Sequence, residues 1–284
     1  MLVGLAMIAG GAAAGLFGSL LGLGGGILLV PLLTLGFGLP LREAVGVSLV
    51  SVIVTSGAAA AVYLERHAAN LRLGMTLELF TAFGAIVGGL LAFALDEREL
   101  AGLFAVLLVY VAVSMFRRRE APVADSAPGE PVGAPADSPP AAGGARTGRT
   151  DRILERLSGP DYRTRRLGPG IVGSVGAGIV SALLGIGGGL VKVPLMHLVM
   201  GVPLRVATAT SNLMIGITAS ASAIIYLFRG GLDPYVAGPT AIGVFLGASV
   251  GSRVAQRVDV RLLRFLFSAV LLYTAYQMTV KALA

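Results

Sequence analysis

The chain has 284 residues, of which 55% are hydrophobic and 13% charged, and its formal net charge is +7. This composition, a mean hydropathy of +0.85 and several uncharged runs of about 20 residues exclude a soluble enzyme and place the chain in a lipid bilayer. Ten of the 22 Lys and Arg residues lie in one connecting segment, and the sequence shows no basic face with stacking aromatic residues, which argues against nucleic-acid binding. The lack of cysteine excludes disulfides and thiolate metal sites.

The hydrophobic segments predict an all-α polytopic membrane protein. Most of them have the length of about 20 residues that a single helical crossing needs. In chain order the segments are 1–41, 44–64, 73–95, 100–116, 167–204, 206–228, 234–252 and 265–280.

The first and fifth segments are too long for one crossing. As unbroken helices, 1–41 and 167–204 would measure about 60 Å, roughly twice the hydrocarbon thickness. Each contains a glycine run, LGLGGG at 21–26 and LGIGGG at 184–189. Because glycine adopts turn conformations at low cost, we predict that each segment breaks or folds back there.

The middle of the chain differs in composition. Residues 117–167 hold half of the 14 prolines, together with many Ala, Gly, Ser and Arg residues. Such a composition predicts a disordered linker, and its arginines indicate the cytoplasmic side. The predicted organisation is therefore a transmembrane repeat at 1–116, a cytoplasmic linker at 117–167 and a second transmembrane repeat at 168–284.

The two hydrophobic halves are related in sequence. A shift of 163 residues aligns them without a gap, so that Gly22 falls on Gly185 and Pro31 on Pro194. An odd number of net crossings per repeat makes the two repeats inverted, and an even number makes them parallel. If the first segment folds back as a hairpin, the three segments that follow give three crossings and the repeats are inverted. If the first segment crosses once, each repeat has four crossings and the repeats are parallel. The distribution of Lys and Arg favours hairpins and inverted repeats.

The glycine runs suggest an anion site. A hairpin turning at each run would begin its second arm deep in the membrane, where the first backbone N–H groups lack helical partners and point into the interior at the positive end of the helix dipole. Glycine lets a ligand approach these groups closely. The predicted binding residues are Gly24, Gly25 and Gly26 in the first repeat and Gly187, Gly188 and Gly189 in the second. The alternative is that the glycines only permit close helix packing.

Lys192 lies three residues after Gly189, within a hydrophobic segment. An ionisable residue inside a membrane is costly and marks a functional site by default. Lys192 could attract an anionic substrate or exchange a proton; the alternatives are that it reaches an interface or pairs with an acid. Glu78 is the one acid in the run 73–95 and could couple protons, although its place near the start of the run favours the membrane interface.

Polar residues near the turns complete the predicted site. Ser48 and Ser211 occupy matching positions in the two repeats, and Thr208 and Asn212 lie close to Ser211 in the sequence. Their hydroxyl and amide groups could hold the oxygens of an oxyanion, or could simply bridge helices. Two matching arginines, Arg42 and Arg205, could recruit anions at the mouth of the site or anchor helices at the interface.

The motifs GLFGSLLGLGGGILLVPLL and GIVSALLGIGGGLVKVPLM, each followed by Pro-Leu-Arg-x-Ala, resemble those of the TauE/SafE family of sulfite exporters. The resemblance covers both repeats, and the TATSN stretch at 208–212 adds to it. It implies a carrier of sulfite, sulfonates or other small sulfur-containing anions in the bacterial inner membrane, with export as the commonest direction. The first repeat lacks the Asn of TATSN, so the two half-sites are chemically unequal.

These features together predict a secondary transporter that moves a small sulfur-containing oxyanion by alternating access, with protons as a candidate coupling ion. An anion channel or an importer of another small anion is the alternative. The sequence offers no nucleophile with a neighbouring base and no metal-ligand cluster, so no enzymatic activity and no cofactor are expected.

Overall fold

The fold is described from a computed structural model of the chain, which describes residues 2–20, 26–65, 69–117, 158, 164–254 and 260–283. All regular elements in these residues are helices. In chain order they are α1 (Leu2–Leu20), α2 (Gly26–Pro31, continued by a π-helical turn at Leu32–Gly36), α3 (Leu41–Glu65), α4 (Leu71–Ala94), α5 (Glu97–Arg117), α6 (Leu167–Leu184), α7 (Gly189–Pro194, continued by a π-helical turn at Leu195–Val199), α8 (Leu204–Phe228), α9 (Pro234–Val254) and α10 (Val260–Leu283).

Four stretches within these helices are long and apolar enough to cross a membrane. They lie at Leu41–Ala58 in α3, Leu71–Ala94 in α4, Leu167–Leu184 in α6 and Val206–Phe228 in α8. A helix of this length spans the hydrocarbon core of a bilayer. The prediction of an all-α polytopic membrane protein is therefore confirmed.

The first segment of each half folds back on itself. Helix α6 ends at Leu184, and α7 returns so that Met200 O accepts a hydrogen bond from Arg165 N at 2.9 Å. In the first half, a Cβ atom placed on Gly10 of α1 would lie 3.3 Å from the ring of Phe37, just past the end of the returning arm. Each returning arm is 11 residues long, or about 16 Å, so it reaches only part of the way across a bilayer.

Each first helix packs along a helix of the other half. A Cβ atom on Gly11 of α1 would lie 2.6 Å from Thr240 O of α9, and one on Gly251 of α9 would lie 2.7 Å from Leu16 O. The contact thus moves from residue 240 to residue 251 of α9 as it moves from residue 11 to residue 16 of α1. The two helices therefore run parallel, with their backbones in contact. Glycine is required at these positions, since any side chain would meet backbone atoms.

Helices α4 and α6 make the corresponding contact. A Cβ atom on Gly88 of α4 would lie 2.5 Å from Ile179 O of α6, and one on Gly84 would overlap Val175 O. These helices also run parallel. The hairpin of each half is thus attached to a long helix of the other half.

The helices α3 and α8, which the 163-residue shift aligns with each other, run in opposite directions. The start of α3 at Gly46 lies against Gly231, just past the end of α8. Further along α3, Ser56 Oγ donates to Asn212 O near the start of α8 at 3.2 Å. Opposite directions are what inverted copies require; the internal repeat itself stays a prediction.

Most of the predicted linker, 117–167, lies outside the described residues. At its borders, Arg117 is the last residue of α5 and Thr164 is buried, its backbone N–H donating to Ser158 Oγ at 2.9 Å. The predicted disorder of the remaining residues is untested.

Candidate functional site

The two glycine-rich turns meet inside the protein. A Cβ atom on Gly26, the first residue of α2, would lie 2.9 Å from Gly185 O, which follows α6. Ser48 Oγ of α3 bridges them, donating to Gly185 O at 2.7 Å and lying 3.3 Å from Gly26 O. Ser48 is fully buried, so the contact between the two turns is sealed from solvent.

The backbone of the second turn depends on glycine. Gly185, Gly187 and Gly188 all have positive φ angles, of 68°, 78° and 74°, which other residues rarely adopt. Gly185 ends α6, its N–H donating to Ser181 O at 2.9 Å, and Gly188 O accepts the first hydrogen bonds of α7, from Val191 and Lys192. The amides of Gly189 and Leu190 precede these first bonds, at the positive end of the helix.

A buried ionic cluster lies one turn beyond Gly188. Lys192 Nζ of α7 is 3.2 Å from Glu78 Oε2 of α4, and it also donates to Thr218 Oγ1 of α8. The Thr218 hydroxyl in turn donates to Glu78 Oε1 at 2.6 Å. Lys192 is 1% exposed, Glu78 3% and Thr218 0%. Three helices therefore meet at one satisfied ion pair, which carries no net charge.

The interfacial position that the sequence favoured for Glu78 is wrong, because the carboxylate is buried against Lys192. Of the alternatives given for Lys192, the structure shows the one in which the ammonium group pairs with an acid. The two residues are 114 positions apart, and this contact forms only when α4 and α6 pack through their glycine faces. Thr218 was missed for the same reason: an isolated threonine in a hydrophobic run carries no signal of its partner.

The polar residues predicted on α8 take different positions around the site. Ser211 is 1% exposed, and its hydroxyl has no hydrogen-bond partner. Asn212 accepts a hydrogen bond from Ser56 through its backbone carbonyl. Thr208 Oγ1 donates to Leu204 O of its own helix at 2.9 Å, away from the turns. Ser211 faces the second turn, its Oγ lying 3.7 Å from where a Cβ of Gly189 would be.

Arg42 is held at the end of α4. Its Nε donates to Ala92 O at 3.1 Å, a second nitrogen donates to Leu95 O, and the guanidinium lies 5.8 Å from the ring centroid of Phe93. This arrangement satisfies helix C-terminal carbonyls, a favourable place for a cation. Gly24, Gly25 and the side chain of Arg205 lie outside the described residues.

Sequence reasoning missed Ser181. Its hydroxyl is buried without a partner, and its Cβ lies 3.1 Å from where a Cβ of Gly188 would be. The residue aligned with it in the first half is Gly18, so comparison of the halves did not point to a hydroxyl here. Among the described residues there is no group of three or more His, Asp or Glu side chains that could hold a metal ion.

Comparison with known proteins agrees with this architecture. The family described as "Sulfite exporter TauE/SafE" matches residues 7–278. The chain is 22% identical to the "Probable membrane transporter protein YunE" of Bacillus subtilis, over 94% of both chains. It is 27% identical to a probable membrane transporter protein of Methanocaldococcus jannaschii, over 90% of this chain and 88% of that one.

A third relative is longer. The chain is 25% identical to the "Probable membrane transporter protein MamO" of Magnetospirillum gryphiswaldense, where the match covers 98% of this chain and 44% of the relative. No solved structure has significant similarity to the chain.

Proposed function

Because this chain belongs to the sulfite exporter TauE/SafE family, we propose that it is a secondary transporter of sulfite, sulfoacetate or a related small sulfur-containing oxyanion. The family and the names of its relatives make it a multi-pass membrane transporter. The substrate, the direction and the mechanism are the proposal.

The observation that carries the proposal is the buried contact between two interrupted helices. Gly26 and Gly185 are in contact, and α7 begins beside them at Gly189. Broken helices whose ends meet near the middle of the membrane are the usual binding sites of transporters. Non-helical backbone at this depth is tolerated where it is buried in protein or lines a cavity. The amides at the start of α7 would face a negatively charged group.

Lys192 supplies the positive charge of the proposed site. Its Cε lies 3.4 Å from where a Cβ of Gly188 would be, so the side chain runs back past the start of its own helix. We propose that Lys192 turns from Glu78 to the bound anion during transport. Glu78 then lacks its counter-charge and is the group at which a coupled proton would bind.

Export fits the energetics of the cell membrane. In a bacterial plasma membrane, where we place the protein, a potential that is negative inside favours the outward movement of an anion by about 2.3 kcal/mol per charge per 100 mV. Alternating access would expose the central turns first to one side and then to the other. The opposite directions of α3 and α8 support the two inverted repeats that this mechanism uses.

Flux measurement in proteoliposomes tests the proposal. Purified protein is reconstituted, and uptake of radiolabelled sulfite or sulfoacetate is followed with an imposed potential or pH gradient. A secondary transporter should show saturable flux and counterflow, in which unlabelled anion inside accelerates entry of labelled anion. With the membrane potential clamped at zero, an anion channel, the other candidate, would show no counterflow. The absence of flux for all sulfur oxyanions, with flux for carboxylates, would refute the proposed substrate class.

The role of Lys192 is tested in a variant without either charge. The double variant Glu78→Gln, Lys192→Met leaves no unpaired charge in the core, so it should fold. We expect it to lose anion binding, measured by calorimetry. Unchanged affinity in the folded double variant would remove Lys192 from the site. If protons are coupled at Glu78, a pH gradient should alter flux in the wild type and leave the residual flux of Glu78→Gln unaffected.

A further inference from the structure

Two buried hydroxyl groups near the second turn lack the partner that neighbouring hydroxyls have. Ser181 is 0% exposed and Ser211 1%, and neither Oγ has a hydrogen-bond partner. On the same helices, Ser174 donates to Gly170 O at 2.8 Å and Ser222 donates to Thr218 O at 3.1 Å. Leaving a buried hydroxyl unpaired is unfavourable, because the group has lost its hydrogen bonds to water. Two such groups in one place indicate a missing acceptor.

Both hydroxyls flank the dipeptide Gly188–Gly189. Ser181 approaches from α6, with its Cβ 3.1 Å from the position of a Gly188 Cβ. Ser211 approaches from α8, with its Oγ 3.7 Å from the position of a Gly189 Cβ. The stem of Lys192 lies beside the same glycines. The side chains of Ser181, Ser211 and Lys192 thus lie next to a stretch of backbone that has no side chain of its own, and Ile215 Cδ1 packs beside it, 2.7 Å from the position of a Gly189 Cβ.

At the two aligned positions, the described part of the first half offers no free hydroxyl. The residue aligned with Ser211 is Ser48, whose hydroxyl is already bonded to Gly185 O at 2.7 Å. The residue aligned with Ser181 is Gly18, which has no hydroxyl. The two halves therefore differ in the chemistry they offer at their turns.

We propose that Ser181 and Ser211 form an oxyanion-binding subsite with the backbone of Gly188–Gly189, and that this subsite holds the substrate's charged group. This inference rests on the proposed transport of sulfur oxyanions. Sulfite and sulfonate groups carry three oxygens arranged in a pyramid, so one oxygen can accept from each serine while the third faces Lys192. A hydrogen bond to a charged acceptor is stronger than one between neutral groups.

Calorimetric titration of the purified full-length protein with sulfite and with sulfoacetate tests the subsite. Ser181→Ala and Ser211→Ala should each weaken binding about tenfold or more, the loss expected for one hydrogen bond to a charged group. Neither should lower the melting temperature, because neither removes an existing hydrogen bond. Ser174→Ala and Ser222→Ala are matched controls on α6 and α8, and they should leave the dissociation constant unchanged.

The outcomes separate the subsite from the transport function. If the wild type binds the anions and both serine variants bind equally well, the subsite is refuted, and the hydroxyls hold water at most. If the control variants weaken binding as much as the test variants, the effect is general to the helices and the subsite is again refuted. If the wild type neither binds nor transports any sulfur oxyanion, the proposed function itself is refuted.

Discussion

Removing one charge of the buried pair should destabilise the protein far more than removing both. Glu78→Gln keeps the size of the side chain but leaves the Lys192 ammonium, which is 1% exposed, without a counter-charge. Breaking a buried ion pair in this way costs about 3–5 kcal/mol. At about 2–4 °C per kcal/mol for a chain of this size class, the melting temperature should fall by about 6–20 °C. Lys192→Met should have a similar effect.

The double variant Glu78→Gln, Lys192→Met should recover most of this loss. With neither charge present, replacement of a buried ion pair is close to neutral, so the double variant should melt within a few degrees of the wild type. Thermal unfolding in detergent, followed by circular dichroism, measures all four proteins of the cycle. Asp96→Asn, which removes an exposed acid, is the control and should change stability by less than about 0.5 kcal/mol. Additive losses in the double variant would show that the two charges do not compensate each other and would refute the reasoning.

Two further changes test the packing. Gly88→Ala should destabilise the protein by about 1–3 kcal/mol, because the new Cβ would lie 2.5 Å from Ile179 O. Gly176→Ala is the control: no atom lies within 4 Å of the new Cβ, so this variant should be neutral or stabilising by up to about 1 kcal/mol. Equal melting temperatures for these variants would contradict the close contact of α4 with α6. Tyr226→Phe should lower the free energy of unfolding by about 0.5–1.5 kcal/mol or more, because the buried Tyr226 hydroxyl donates to Ala182 O at 3.0 Å; chemical denaturation measures the change, and no loss would mean that water replaces this bond.

The features that could be predicted from the sequence are those that depend on the composition of a single segment. Segments 1–41 and 167–204 were too long for one crossing, and their glycine runs marked where the chain turns. Lys192 was conspicuous because a charge interrupted an apolar run. These signals need no knowledge of which helices pack together, since chain length, hydropathy and glycine conformation act within one segment.

The partners of these features were not predictable. Glu78 was visible as an acid, but its place beside Lys192 depends on the packing of α4 against α6. For Ser48 the sequence left open whether its hydroxyl holds substrate or bridges helices, and it did not indicate the bond that this hydroxyl makes to the backbone of the other turn. Ser181 gave no signal because hydroxyl residues are common in membrane helices and most donate to their own helix. Contacts between distant segments depend on tertiary packing, which a single sequence does not display.

Because the hairpin of each half packs against a helix of the other half, the order of synthesis decides when each contact can form. During translation the hairpin α1–α2 is made before α9, whose backbone it contacts at Gly11 and Gly251, and the contacting residues Gly11 and Thr240 are more than 200 positions apart. By contrast, α6 finds α4 already in place when it emerges. The α1–α2 hairpin must therefore remain in the bilayer without its final neighbour, its glycine face open to lipid or to chaperones, until α9 has been synthesised. A nascent chain that stops before α9 would leave that face permanently uncovered and become a substrate for membrane proteases.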